Sequence, residues 1–186
     1  MKRLLTSGGL VLAAFAAAPA AASAEGCEYG PTSRAFALFG DRADYYLAPG
    51  GDFESLTWTA WGRPSLVYGL NPYSLAGGMR SLRLDKDEAV RSPLLCVSRD
   101  TPHLRFLAKG GDGQLDVAVR VYRNGRVTDS SSGSVSPSDH RRWAPSDNID
   151  LKVDSLRRGE IGEVTVSFRS QGDWLIDDVH VDPYRR

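Results

Sequence analysis

Alternation of apolar and polar residues constrains the fold of this chain more than any other feature. Over residues 115–122, an aliphatic side chain occupies every second position. The same alternation returns over residues 149–153 and 164–168. A period of two places successive side chains on opposite faces of a strand, which is typical of antiparallel sheets with one buried and one wet face. The pattern therefore predicts half-buried antiparallel strands.

Shorter runs extend the pattern over the rest of the chain. Further strands are predicted at residues 36–39, 44–47, 55–61, 65–68, 81–84, 94–97, 104–108 and 174–182. The pair Asn124-Gly125 predicts a two-residue hairpin, because both residues tolerate positive φ. Residues 85–90 could form one helical turn, and the serine-rich stretch 129–142 is interpreted as a long surface loop. About ten short strands at this spacing indicate an all-β fold, an antiparallel β-sandwich of the jelly-roll type.

The first 24 residues have the pattern of a secretory signal peptide. Lys2 and Arg3 precede an apolar run at residues 10–18, and small residues lead to a cleavage site after Ala24. Residues 25–186 are then a single secreted domain, whose ~160 residues can bury roughly 70% of the unfolded chain's surface. Loss of two basic residues from a balance of 23 Lys and Arg against 23 Asp and Glu leaves a net charge of about −2.

Charge and hydropathy exclude two classes of partner. The remaining chain has no run of Lys or Arg, so it lacks the basic surface that a nucleic-acid binder needs. No apolar stretch after Ala24 approaches the ~20 residues that a membrane-spanning helix requires.

The two cysteines, Cys27 and Cys96, are interpreted as a structural disulfide. Two cysteines in a secreted domain are typical of such a bond, which would join the N-terminus to the middle of the chain. A lipoprotein with Cys27 as the lipidated residue is the alternative, although Glu25 occupies a position where a lipobox has a small or apolar residue.

An acid interrupts the apolar row of the last predicted strand. Strict alternation places Asp177 on one face with Leu175, Val179 and Val181, and turns Asp178 the other way, so the two acids are not expected to form a pair. A buried carboxylate needs a partner. Asp177 could accept hydrogen bonds, pair with an arginine, or bind a cation such as Ca²⁺, which prefers oxygen ligands.

Two motifs at opposite ends of the domain resemble those of a known family. Gly51-Asp52-Phe53-Glu54, with Trp58 soon after, and Ile-Asp-Asp-Val-x-Val at residues 176–181 resemble the galactose-binding-like jelly rolls, which include many carbohydrate-binding modules. The pattern is also similar to small uncharacterised secreted bacterial proteins of that type. The resemblance implies a structural Ca²⁺ held between the two ends of the domain. The implied metal ligands are Glu54 and Asp177, with weaker candidates at Asp52 and Asp178.

Aromatic residues in loop-like or strand-edge positions are candidates for ligand binding. They are Trp58, Trp61, Tyr68, Tyr73 and Trp143. Sugars stack their apolar C–H faces on such rings while polar side chains bond the hydroxyls. Trp58 and Trp61 are three residues apart and face opposite sides of an extended strand, so one of them is expected in the core. The alternative interpretation of all five rings is packing in the core or at a strand edge.

Catalytic motifs are not evident in the sequence. The three histidines, His103, His140 and His180, have no metal-binding spacing, and no Gly-x-Ser-x-Gly motif occurs. The favoured hypothesis is a secreted, non-catalytic module that binds carbohydrate. Two alternatives stay open. A protein-interaction or envelope-associated structural module would dock a cell-surface protein through a flat apolar patch, and a small hydrolase would need His103 or His140 beside a carboxylate.

Overall fold

The structure is a computed structural model that describes residues 30–101, 103–158 and 160–182. The predicted signal peptide, residues 1–24, and Cys27 lie outside the described residues. Signal cleavage and the Cys27–Cys96 disulfide therefore stay predictions.

The described residues form fourteen strands and two short 3₁₀ helices. The strands are β1 (Thr32–Ser33), β2 (Tyr45–Leu47), β3 (Thr59–Trp61), β4 (Ser65–Tyr68), β5 (Arg80–Leu84), β6 (Ala89–Arg91), β7 (Leu95–Ser98), β8 (His103–Gly110), β9 (Leu115–Arg123), β10 (Arg126–Val135), β11 (Ala144–Pro145), β12 (Ile149–Asp150), β13 (Ile161–Ser170) and β14 (Trp174–Asp182). The 3₁₀ helices cover Ala37–Phe39 and Val153–Ser155. Neither helix is long and apolar enough to cross a membrane.

The strands build two antiparallel sheets. Sheet A has eight strands around β14, which pairs with β8 along one edge and with β5 and then β2 along the other. Sheet B has six strands in the order β10-β9-β13-β6-β3, and β7 also pairs with β13. This arrangement confirms the predicted antiparallel β-sandwich of jelly-roll type.

The main core lies between the sheets and contains the residues that alternation selected. Leu115, Val117, Val119 and Val121 are all buried there. Three rings cross the sandwich: Trp58 stacks on Phe168 with centroids 5.7 Å apart, and Phe106 meets Phe168 edge-on at 4.8 Å. The period-two pattern therefore identified the inner face of sheet B.

A second apolar cluster covers the outer face of sheet A. Phe36, Tyr45, Leu107 and Trp143 are buried in it, and Leu75 packs against them. Its members come from the segment before β2, from the loop at residues 69–79, from the segment before β11 and from sheet A itself. Among the described residues this cluster and the main core are the two apolar clusters, so none covers the outer face of sheet B. The sandwich is thus covered on one side and open on the other.

Several local predictions were wrong. Half of the expected loop at residues 129–142 belongs to β10, which ends at Val135, and residues 36–39 contain a 3₁₀ helix instead of a strand. Residues 85–90 contain the start of β6 and no helical turn. The strand β10 escaped detection because its side chains are mostly exposed on both faces at the sheet edge, where backbone pairing alone holds it.

The predicted hairpin is confirmed. Arg123 pairs with Arg126 across the turn, while Asn124 and Gly125 have φ values of 50° and 73°. These are the positive φ values that a two-residue hairpin of this type requires.

Removal of the central ring is expected to destabilise the sandwich. Phe168→Ala should lower the free energy of unfolding by about 3–5 kcal/mol, because it leaves a cavity against Trp58 and Phe106. Ile161→Ala, on the same strand but 46% exposed, is the control and should change it by less than about 1 kcal/mol. Denaturant unfolding of both variants tests this, and equal losses would contradict the assignment of the core.

Candidate functional site

Two rows of side chains cross the open outer face of sheet B. Cross-strand pairing defines the first row as Ser132, Ala118, Ser167, Arg91 and Thr59, and the second as Ser134, Asp116, Arg169, Ala89 and Trp61. Many positions in both rows carry small side chains, so the surface is recessed between the longer side chains. The result is a shallow surface on which an extended ligand can lie.

Trp61 provides the aromatic surface on this face. Its side chain is 48% exposed, and the guanidinium carbon of Arg91 lies 5.2 Å from the centroid of the ring. A guanidinium at this distance attracts the ring through a cation–π interaction. Arg91 therefore holds an exposed indole in a defined position.

Hydrogen-bonding groups lie on the same sheet face as this ring. Arg120 and Arg169 are exposed, and in the described part of the chain neither they nor Arg91 form an ion pair. Asp116 accepts two hydrogen bonds from the Gln171 amide, at 3.1 and 3.0 Å. The face thus offers several unpaired donors and one oriented carboxylate. Alternation in the sequence places Asp116, Arg120 and Arg169 on the wet sides of their strands, but only strand pairing brings Asp116 and Arg169 into a row with Trp61.

The other predicted rings lie elsewhere. Trp58 is buried in the core and its Nε1 donates to the Pro49 carbonyl at 3.0 Å, so its assignment as a ligand-binding residue was wrong. Its burial confirms that Trp58 and Trp61 face opposite sides. Tyr68 is 61% exposed at the edge of sheet A, where Arg80 lies over its ring and donates to its hydroxyl.

Tyr73 and Trp143 come together on the outer side of sheet A. Both line a cavity of about 280 Å³, together with Lys109 and with Arg141 and Arg142. Trp143 is buried in the cavity wall, whereas Tyr73 is 40% exposed. The three cations were not predicted from the sequence, since they come from β8 and from the segment before β11 and meet only in the folded chain.

The last strand contains a β-bulge that alternation did not predict. The pairing of β14 with β8 shifts register between Asp177 and His180, and Asp178 has a φ of 51°. One extra residue reverses the faces of all that follow. Val179 and Val181 therefore point into the main core, while Leu175 packs in the cluster on the outer face. The predicted single row of residues 175, 177, 179 and 181 was wrong for this reason.

The bulge also brings the two acids together, contrary to the sequence-based expectation. The Asn71 amide donates to Asp177 Oδ2 at 3.0 Å and to Asp178 Oδ2 at 2.8 Å. Asp178 accepts two more hydrogen bonds, from the main-chain N–H groups of Leu75 and Ala76 at 2.8 Å each. The acid pair thus attaches the loop at residues 69–79 to the centre of sheet A.

Asp177 is buried together with Asp178. Its carboxylate also accepts hydrogen bonds from Ser81 Oγ at 2.9 Å and from the Asp178 N–H at 2.8 Å. Burial, followed by the charge of Asp178, raises the pKa of Asp177 from 3.8 to about 7. The residue is therefore an acid satisfied by hydrogen bonds, one of the three alternatives that the sequence left open.

The four candidate metal ligands do not form one cluster. Glu54 Oε1 accepts from the N–H groups of Met79 and Arg80 at 2.7 Å each, and Asp52 accepts from the Glu54 N–H. Over residues 30–101, 103–158 and 160–182, no group of three or more potential ligands could hold a metal. N–H and O–H donors already bind these carboxylates, so the residues fit a calcium ion poorly. Calcium binding stays a prediction.

The histidines do not meet the geometric requirement of the hydrolase hypothesis. His103 Nδ1 lies 3.9 Å from Asp182 Oδ2, beyond hydrogen-bond reach. His140 is buried with its Nδ1 at 3.2 Å from the Ser136 carbonyl, and its Nε2 has no hydrogen-bond partner in the described part of the chain. His180 is also buried, with its Nδ1 at 2.8 Å from the Asp178 carbonyl.

The sequence matches no protein-family model and no curated protein. The fold is similar to several solved structures. One is a family 11 carbohydrate-binding module of a cellulosomal cellulase of Clostridium thermocellum, at 12% identity and a TM-score of 0.48, covering 74% of this chain and 94% of that one. Another is the CBM22-2 xylan-binding domain of Paenibacillus barcinonensis Xyn10C, at 14% identity and a TM-score of 0.46. That match covers 74% of this chain and 98% of the xylan-binding domain.

A third similar structure is the enzymatically active domain of tailspike protein 4 of bacteriophage CBA120, at 14% identity and a TM-score of 0.49. The match covers 73% of this chain but 21% of that one. At such low identities these similarities describe the fold and do not assign a ligand.

The stability of the fold is expected to depend on pH through Asp177. In the folded chain this acid keeps its proton up to about pH 7, whereas the unfolded chain releases it near pH 4. Unfolding therefore releases a proton between these pH values, so stability should fall as the pH rises from 4 to 7, by an amount on the order of a few kcal/mol. Denaturant unfolding at several pH values measures it.

Asp177→Asn should remove this part of the pH dependence. At low pH, the difference in the free energy of unfolding between wild type and variant reports the altered hydrogen bonds. The change of that difference with pH reports the titration of Asp177. Parallel curves from pH 4 to pH 8 would contradict the assignment.

Thermal unfolding in Ca²⁺ and in chelator tests the calcium prediction. A ligand at 100 times its Kd stabilises the folded state by about 2.7 kcal/mol. An equal melting temperature in both conditions would leave Asp177 and Asp178 as purely hydrogen-bonded acids.

Proposed function

We propose that this chain is a secreted, non-catalytic module that binds carbohydrate on the outer face of sheet B. The observation that carries the proposal is an uncovered sheet face on which Arg91 holds an exposed Trp61 beside unpaired hydrogen-bonding groups.

The chemistry of this face suits a sugar. A pyranose presents apolar C–H groups on its faces and hydroxyls around its rim, so it needs a flat ring together with polar side chains. Trp61 supplies the ring, Arg169 supplies donors, and Asp116 supplies an acceptor in the same row. Trp61 and Asp116 are three strand spacings apart, roughly 14 Å. The row is therefore longer than one sugar ring and favours an extended chain.

The same face is less suited to a protein partner. Docking of a cell-surface protein would favour a flat apolar patch. Side chains of β9 and β13 on this face are instead mostly polar or charged, including Asp116, Arg120, Ser167 and Arg169. This composition supports carbohydrate over the alternative partner.

Loss of the Trp61 ring is expected to weaken binding. On a panel of neutral polysaccharides that includes xylan and β-1,4-galactan, Trp61→Ala should reduce the affinity for the bound polymer about tenfold or more. A stacking contribution of about 1.4 kcal/mol corresponds to that factor. Glycan-array screening followed by calorimetry measures it. Tyr68→Ala, which removes an exposed ring at the edge of the other sheet, is the matched control and should bind as wild type does.

Three outcomes would count against the proposal. A flat response across the panel would reject carbohydrate as the ligand class. Loss of binding in Tyr68→Ala with retention in Trp61→Ala would move the site to the edge of sheet A. Hydrolysis of a bound polymer by the purified protein would reject the non-catalytic assignment.

Mass spectrometry of the exported protein tests the proposed secretion. The expected N-terminal residue is Glu25, and the non-reduced mass should be lower by two hydrogens because of the Cys27–Cys96 disulfide. A retained leader would contradict the proposed cleavage, and an added lipid would favour the lipoprotein alternative.

A further inference from the structure

A cationic cavity lies on the outer side of sheet A, away from the face of sheet B. Its volume is about 280 Å³, and its walls are Pro72, Tyr73, Lys109, Arg141, Arg142 and Trp143. Lys109 is exposed near the end of β8, and the two exposed arginines lie just before β11. The loop at residues 69–79, which the acid pair holds on the sheet, supplies the opposite wall.

In the part of the chain that the structure describes, no ion pair neutralises the positive charges of this cavity. In the described ranges, Lys109, Arg141 and Arg142 take part in none of the ion pairs, which involve other cations. No acid is among the residues that line the cavity. Three positive charges around one small space repel each other, and an anion between them would offset that repulsion by attracting all three.

The remaining wall residues include two aromatic rings, Tyr73 and Trp143. Trp143 Nε1 is buried and has no acceptor among the residues that the structure describes. Tyr73 is 40% exposed, and its ring meets Phe39 edge-on with centroids 4.9 Å apart, which fixes its orientation. Apart from the Tyr73 hydroxyl, the side chains of this wall carry hydrogen-bond donors and no acceptors.

We propose that this cavity binds an acidic sugar unit, through a carboxylate or sulfate group between Lys109, Arg141 and Arg142 and a ring packed on Tyr73. Guanidinium groups bind both oxyanions through paired N–H donors, which makes arginine well suited to this recognition. The volume is at the small end of the ~300–1,000 Å³ of ligand cavities, so it accommodates one ring-sized group. The ligand is therefore an acidic polysaccharide that inserts one unit.

The surface next to the cavity allows the polymer to continue. Lys109 also lines an adjoining cavity of about 250 Å³, whose wall includes the apolar side chains Val67, Leu70 and Leu175. The same wall contains one further cation, Arg83, and one acid, Asp173. Leu70 and Tyr73 belong to the same loop, so the two cavities follow one side of it. A chain that places its acidic unit beside Arg141 can rest its next unit there.

Binding of the full mature chain to three polymers tests the proposal. Polygalacturonate carries carboxylates, dextran sulfate carries sulfates, and β-1,4-galactan is neutral. We expect at least one of the anionic polymers to bind the wild-type chain at least tenfold more tightly than it binds the variant Arg141→Gln/Arg142→Gln. Calorimetry at low salt measures both affinities. Binding of polygalacturonate alone would identify a carboxylate ligand, and binding of dextran sulfate alone would identify a sulfate ligand. Either result supports the proposal.

A matched variant separates a specific site from general charge attraction. Lys86→Gln/Arg126→Gln also removes two positive charges, but at exposed positions outside both sites. It should retain the affinity of wild type. Equal weakening in the two double variants, or no measurable binding of either anionic polymer, would overturn the proposal.

The Tyr73 ring provides a second readout. Tyr73→Phe should bind the anionic polymer as wild type does, because the ring stays, whereas Tyr73→Ala should bind it at least threefold more weakly. Full retention in Tyr73→Ala would show that a free oxyanion suffices and would overturn the assignment to a sugar.

The two proposed sites can fail independently. Trp61→Ala should leave the affinity for the anionic polymer unchanged, and Arg141→Gln/Arg142→Gln should leave neutral polysaccharide binding unchanged. If Trp61→Ala abolished binding of the anionic polymer, its site would lie on sheet B and the proposal for the cavity would be wrong.

Discussion

Hydrogen bonding of one loop to a pair of buried acids organises the surface of this sandwich. The bulge in β14 turns Asp177 and Asp178 towards the same side, and both accept from the Asn71 amide. The loop at residues 69–79 is thereby held over sheet A. Two adjacent carboxylates repel each other, so their shared position is tolerable only because several N–H and O–H donors bind them and because Asp177 has a raised pKa.

The apolar cover on sheet A makes the two sides of the molecule chemically different. Sheet A is covered by an apolar cluster that includes Phe36 and Leu107, and the rim of this cover contains the cationic cavity. Sheet B has no such cover among the described residues and presents Trp61 with polar side chains. A neutral sugar chain suits the open face, whereas an oxyanion suits the cavity. The proposals therefore assign different ligand chemistry to opposite sides of one domain.

Prediction from sequence succeeded where local periodicity decides the structure. The alternation in β9 and β13 identified the inner faces, and Asn124-Gly125 identified the hairpin, because both signals depend on neighbouring residues alone. It failed at β10, whose pairing at a sheet edge leaves no pattern in its own side chains. It failed again at the bulge, where tertiary pairing with β8 inserts one residue into an otherwise regular strand.

The sequence by itself determined the fold class, the inner faces of β9 and β13 and the separation of Trp58 from Trp61. These follow from a period of two, which any chain segment carries within itself. Only the tertiary structure decided that Asp177 and Asp178 share Asn71, that Trp61 lies in a row with Asp116, and that Lys109 meets Arg141 and Arg142. Strand order and loop placement bring these residues together across long stretches of chain, and no local pattern encodes such contacts.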